Sequence, residues 1–105
     1  MLEAAMGLSA RAQSQLSDRY LSTRLDMEAG LPSNFVDDVL RDSYGFLWIA
    51  TSGGLCRWDG YELLVFNTSS EVPLKSNFVK NIAEDSFHRL WIGSEGGVEI
   101  LNLSS

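Results

Sequence analysis

A chain of 105 residues with 45% hydrophobic content has room for one domain and enough apolar side chain for a modest core, which argues against disorder. Its formal net charge of −6 opposes nucleic-acid phosphates and anionic membrane surfaces alike, and it identifies no positive partner. One cysteine, Cys56, excludes an internal disulfide, and one histidine, His88, excludes a multi-histidine metal centre, so no metal site or cofactor is expected and Cys56 reads as a buried structural thiol.

No apolar run reaches the roughly 18 residues that a membrane-spanning helix needs, so no membrane contact by this segment is expected. At the start, Ala10-Arg11-Ala12 has the small-x-small form of a signal-peptidase site and is followed by polar Gln13-Ser14-Gln15. The apolar stretch before it is short, contains Glu3 and lacks a positive flank. Residues 1–12 therefore read either as a signal-peptide remnant or as an unstructured, cloning-derived start. On the first reading the mature chain begins near Gln13 and works outside the cytoplasm.

Next in chain order, Phe35-Val36-Asp37-Asp38-Val39-Leu40 places apolar residues at a spacing that favours a helix, with a bulged strand as the alternative. Asp42-Ser43-Tyr44-Gly45 is turn chemistry: Asp supplies a side-chain acceptor and Gly a positive φ. Leu47-Trp48-Ile49-Ala50-Thr51 predicts a strand, and Gly53-Gly54 a primed hairpin turn. Leu55-Cys56-Arg57-Trp58 is the returning strand, Asp59-Gly60 another turn, and Tyr61–Phe66 the next strand.

The same text then recurs 43 positions later. Ser33-Asn34-Phe35-Val36 returns as Ser76-Asn77-Phe78-Val79, Asp42-Ser43 as Asp85-Ser86, Leu47-Trp48-Ile49 as Leu90-Trp91-Ile92, and Gly53-Gly54 as Gly96-Gly97. Between 33–60 and 76–103, 11 of 28 positions are identical without a gap, which divides the chain into repeats over 31–70 and 71–105. In the second repeat His88 stands in place of Gly45; histidine tolerates the left-handed region, so His88 reads as a turn residue and not as a ligand or catalyst. Because Asp42, Gly45, Trp48, Gly53 and Gly54, and likewise Asp85, Trp91, Gly96 and Gly97, recur with the repeat, they form its structural signature. Trp48 and Trp91 are expected to pack between repeats. With the ambiguous segment as a strand, each unit is a four-stranded antiparallel meander, the form of one β-propeller blade.

Leu31-Pro32-Ser33-Asn34-Phe35-Val36, Asp42–Ile49, Gly53-Gly54-Leu55 and Trp58-Asp59-Gly60 together resemble the two-component regulator propeller repeat. The resemblance covers about residues 20–103. It departs from the family pattern at Ala50 (usually Gly), Trp58 (usually Tyr) and His88 (usually Gly), and after Gly97, where Val98–Asn102 replaces the usual stretch. It implies an all-β chain of about two blades, the second incomplete, with the ambiguous segment a strand and Tyr20–Leu25, within 20–30, an opening strand. It also implies the N-terminal sensor region of a hybrid two-component histidine kinase of Bacteroides type, in the periplasm. A propeller needs about four to eight blades to close. The partners implied are therefore the remaining blades of the sensor or other copies of the chain, with an oligosaccharide as the possible ligand.

Kinase activity would lie in regions absent from this chain, and no catalytic residue is expected. An enzyme would need placed carboxylates, and Asp37-Asp38, adjacent on a strand, would point to opposite faces. Trp58 has no counterpart, since Leu101 stands at the equivalent place, and it is the one ligand-contact candidate. The alternative is a free-standing propeller-type interaction module that self-associates to close a ring.

Overall fold

The computed structural model describes residues 30–33 and 35–104. The expected opening strand at Tyr20–Leu25 and residues 1–12 lie outside these. Among the described residues, seven strands form two antiparallel sheets. β1 (Val36–Arg41), β2 (Leu47–Thr51), β3 (Gly54–Trp58) and β4 (Leu63–Phe66) pair in sequence order in the first sheet. β5 (Val79–Glu84), β6 (Arg89–Ser94) and β7 (Gly97–Asn102) form the second. This is the all-β, blade-like architecture that the repeat implied, with the second unit one strand short.

β1 is a strand despite its helix-like spacing, and the reason is a bulge. Val36 pairs with Thr51 and Asp38 with Ala50, so Asp37 is an extra residue in the ladder. Adding one residue to a period of two brings Val36 and Val39 to the same face, three apart, and both are buried. β5 repeats the device: Val79 pairs with Ser94 and Asn81 with Gly93, which puts Val79 and Ile82 together in the core.

Two turns differ from their sequence reading. The first hairpin closes through Ser52-Gly53, because Thr51 pairs with Gly54 and Gly54 already belongs to β3. A primed turn would need positive φ at its first central residue, yet His88 alone among described non-glycine residues has one. The two glycines serve different ends. Gly53 lets the chain pass Pro32, whose carbonyl oxygen would lie 2.8 Å from a Cβ there. Gly54 takes φ +146°, with Phe66 O 2.6 Å from a would-be Cβ. Asp59-Gly60, likewise, is not a two-residue turn. Trp58 pairs with Leu63, so the loop runs from Asp59 to Glu62, held by Asp59 Oδ1 accepting the N–H groups of Tyr61 and Glu62 at 2.8 Å each.

The core lies in two layers. One face of the first sheet carries Val36, Val39, Leu47, Ile49 and Cys56, buried with Leu31 and flanked by Trp58, Leu63 and Val65. Its other face carries Trp48, Ala50 and Leu55, which pack against Val79, Ile82, Leu90 and Ile92 of the second sheet. β5 is the strand that lies against β1 and β2. Each of these aliphatic side chains contributes about 1.5–3 kcal/mol when fully withdrawn from water, so the contact between sheets is a principal source of stability.

Candidate functional site

The signature residues cluster at the β1–β2 and β5–β6 turns. Asp42 Oδ1 accepts the N–H groups of Tyr44 (2.9 Å) and Phe46 (3.0 Å), which folds the turn around the carboxylate. Its Oδ2 accepts the indole N–H of Trp48 at 2.7 Å. The carboxylate thus fixes the turn and orients the tryptophan by charge-assisted hydrogen bonds. Asp85 does the same for Phe87 (2.8 Å), Arg89 (3.1 Å) and the indole of Trp91 (2.8 Å), and Arg89 Nε adds a 2.7 Å ion pair. The Trp91 indole and Arg89 hold the Asp85 carboxyl well below the usual carboxylate range, against the cost of its partial desolvation. Gly45 and His88 occupy the same turn position with φ +94° and +60°.

A cation covers each tryptophan, though from different places. The Arg57 guanidinium lies 4.5 Å from the Phe46 ring centre and 5.9 Å from that of Trp48. In the second sheet Arg89 lies 5.2 Å from Phe87 and 5.9 Å from Trp91.

These turns also meet across the two sheets. Glu84, at the end of β5, accepts the Ser43 N–H at 2.8 Å through Oε1 and the Ser43 hydroxyl at 2.6 Å through Oε2. His88 Nδ1 lies 2.9 Å from Ser43 Oγ and 3.4 Å from Glu84 Oε2, and its ring rests 5.4 Å from that of Tyr44. Because the Ser43 proton is directed to Glu84, His88 must present Nδ1–H to the serine oxygen. A nucleophilic serine needs the opposite polarity, with histidine accepting its proton, so this trio is a polar seam between sheets and not a catalytic triad. Partial burial alone would raise the Glu84 carboxyl, but the bonds from Ser43 and His88 outweigh it and hold the group below its ordinary value.

A second link was not foreseen from sequence. Asp38 is buried; Oδ1 accepts the N–H of Val39, and Oδ2 reaches across to accept the N–H of Ile82, both at 3.0 Å. The repeat could have pointed to it, because Asn81 stands at the equivalent position with a similar shape.

Residues 30–53 and 73–96 match the family model described as two component regulator propeller, one copy on each sheet. The chain thus carries two copies of the two-component regulator propeller repeat. Solved structures agree. The chain is similar to the extracellular domain of the BT3049 hybrid two-component system of B. thetaiotaomicron, at 26% identity and a TM-score of 0.70 over 78% of this chain. It is also similar to the extracellular domain of the BT4673 hybrid two-component system of that organism, at 28% identity and a TM-score of 0.59 over 69% of this chain. The matched parts make up 12% and 10% of those chains, so this regulator-propeller segment spans about a tenth of their length. Among curated proteins, none matches the chain.

Within the regulator-propeller pair, Trp58 sits at the end of β3 and packs half-buried against the core of the first sheet. Leu101, its counterpart, packs against the core between the sheets. Both thus hold equivalent scaffold positions. Cys56 is fully buried, and that burial pushes its thiol up to about 12. Asp37 and Asp38 do not converge on a site: Asp37 is the extra residue of the bulge, and Asp38 is the link to Ile82. Among the described residues no group of three or more His, Cys, Asp or Glu side chains could hold a metal ion, and no helix is long and apolar enough to cross a membrane.

Proposed function

We propose that this chain is part of the extracytoplasmic, ligand-sensing propeller of a hybrid two-component sensor, working in the periplasm and feeding a phosphorelay through its histidine kinase. The observation that carries this reading is the match of both repeats to the regulator-propeller family, joined to the likeness to extracellular domains of hybrid two-component systems. The contribution of these residues is non-catalytic. Ligand would shift the sensor between two arrangements, and the kinase would read that shift.

A neutral oligosaccharide is the proposed signal. In an antiparallel meander the β1–β2, β3–β4 and β5–β6 loops lie at one end of the sheets. That end displays Tyr44, Phe87 and Tyr61, all exposed, beside the half-buried Trp58. Aromatic faces with hydroxyl and carboxylate neighbours suit a sugar ring, and a net charge of −6 disfavours a polyanionic glycan. Isothermal titration of the chain against a panel of neutral oligosaccharides tests this. Saturable heat that Tyr61→Ala or Trp58→Ala abolishes is the expected result. If every sugar is silent, or if binding is indifferent to both substitutions, the carbohydrate reading is overturned.

A further inference from the structure

The turns after β1 and β5 share one scaffold, but only the second carries a side chain at its left-handed position. Gly45 gives its N–H to Asp42 O at 3.1 Å, and His88 gives its own to Asp85 O at 3.2 Å. That bond and a positive φ are what the turn asks of this position, and glycine meets the φ with no side chain to strain. Nothing lies within 4 Å of a Cβ at Gly45, so the scaffold leaves this corner empty in the first sheet. The turn role of His88 uses its backbone alone, and its imidazole is additional to what the repeat requires.

The ring is held on one side and open on the other. With Nδ1–H given to Ser43 Oγ at 2.9 Å, beside Glu84 Oε2 at 3.4 Å, the neutral imidazole keeps Nε2 as an acceptor. The two nitrogens diverge across the ring, so the Nε2 lone pair points away from the seam between the sheets. The side chain is 48% exposed, and among the described residues no donor reaches Nε2. Beside it stands the Tyr44 ring, 5.4 Å away between centres, inclined at 54° and 51% exposed. The carboxylates of the same corner already accept other bonds, Glu84 from Ser43, and Asp85 from Phe87, Arg89 and Trp91.

We propose that His88 Nε2 accepts a hydrogen bond from one hydroxyl of a neutral sugar whose ring face rests on Tyr44, which makes His88 a specificity-determining residue of the sensing surface. This rests on the sugar reading above and names the polar contact that selects among sugars. Ser43 and Glu84 act as positioning residues: they fix the tautomer and the direction of the ring, so that binding need not order it. An aromatic face alone holds sugars with little discrimination. An acceptor of fixed direction favours a hydroxyl at one place on the ring over its absence or its epimer.

His88 is the one histidine of the chain, so its ring nitrogens are read in a ¹⁵N-labelled sample without ambiguity. Long-range ¹⁵N–¹H correlation at pH 8 should show Nδ1 protonated and Nε2 bare in the free chain; the opposite tautomer overturns the proposal. The full chain is then titrated with maltotetraose, cellotetraose and xylotetraose. The sugar that binds should move the Nε2 resonance and leave Nδ1 near its free position, and His88→Gly should raise its Kd about 3–10-fold, the weight of one hydrogen bond. His88→Gly suits this test because glycine accepts the φ of +60°, and the 2.9 Å bond from the Leu103 N–H to the His88 carbonyl belongs to the backbone. A sugar that binds with Nε2 unmoved, or equally well to His88→Gly, overturns the role of His88 and leaves the sensing reading standing. If none of the three sugars binds, both fall together.

Discussion

Asp42 and Asp85 hold the same three kinds of donor in two different environments. Asp42 is buried, and so is the indole that it receives; Asp85 and Trp91 stand nearer to water. A buried donor that loses its acceptor costs about 1–3 kcal/mol, while a wet one finds water instead. Asp42→Ala should therefore lower the free energy of unfolding by about 2–3 kcal/mol, and Asp85→Ala by clearly less, as read from urea denaturation midpoints. The pH response has a definite sign. Asp85 and Glu84 are depressed from ordinary values of 3.8 and 4.5, so they bind protons more readily in the unfolded chain than in the folded one. Their stabilisation is complete above those ordinary values and is lost as pH falls below them. Urea midpoints should hold steady from pH 7 to 5 and drop at pH 3.5, and Glu84→Gln, which removes one titrating group of the seam, should shallow that drop.

At the level of elements, the local irregularities carry the register. Gly54 and Gly97 open β3 and β7 at φ +146° and +113°, a region that strains any side chain. A Cβ at Gly54 would also meet Phe66 O at 2.6 Å, whereas nothing lies within 4 Å of one at Gly97. Gly54→Ala should thus cost about 3 kcal/mol or more, Gly97→Ala about 1–2 kcal/mol from backbone strain alone, and paired thermal melts would separate them. The sequence showed the repeat, the strands around Trp48 and Trp91, and the turn role of His88, because each follows from residue type and spacing within a short window. It misplaced the hairpin by one residue, since a Gly-Gly pair does not say which glycine answers φ and which answers the neighbour Pro32. The helix-like spacing of Val36 and Val39 arose from a bulge, and a bulge is settled by pairing with β2, which lies outside the window. The Asp38–Ile82 and Ser43–Glu84 links join residues 44 and 41 positions apart and stand on no local pattern at all.

For the molecule as a whole, the consequence of a repeat that cannot bury both of its faces is a direction. The first sheet is covered on both sides, the second on one, so identical positions differ in energetic weight according to their place in the stack. Leu55 and Val98 make the comparison cleanly, because each faces the same way from the strand after its hairpin. Leu55 packs against Val79, Ile82 and their neighbours with no exposure, and truncating it leaves a cavity in the contact between sheets. Val98 already borders water, so truncating it removes little that was buried. Leu55→Ala should cost about 2–5 kcal/mol and Val98→Ala no more than about 0.5 kcal/mol, measured by urea denaturation of the same chain. Equal costs would mean that the sheets unfold as separate units, each with its own face. Unequal costs on this scale would mean that the sheets act as one nearest-neighbour stack, in which a position acquires its weight only when the next repeat arrives to cover it.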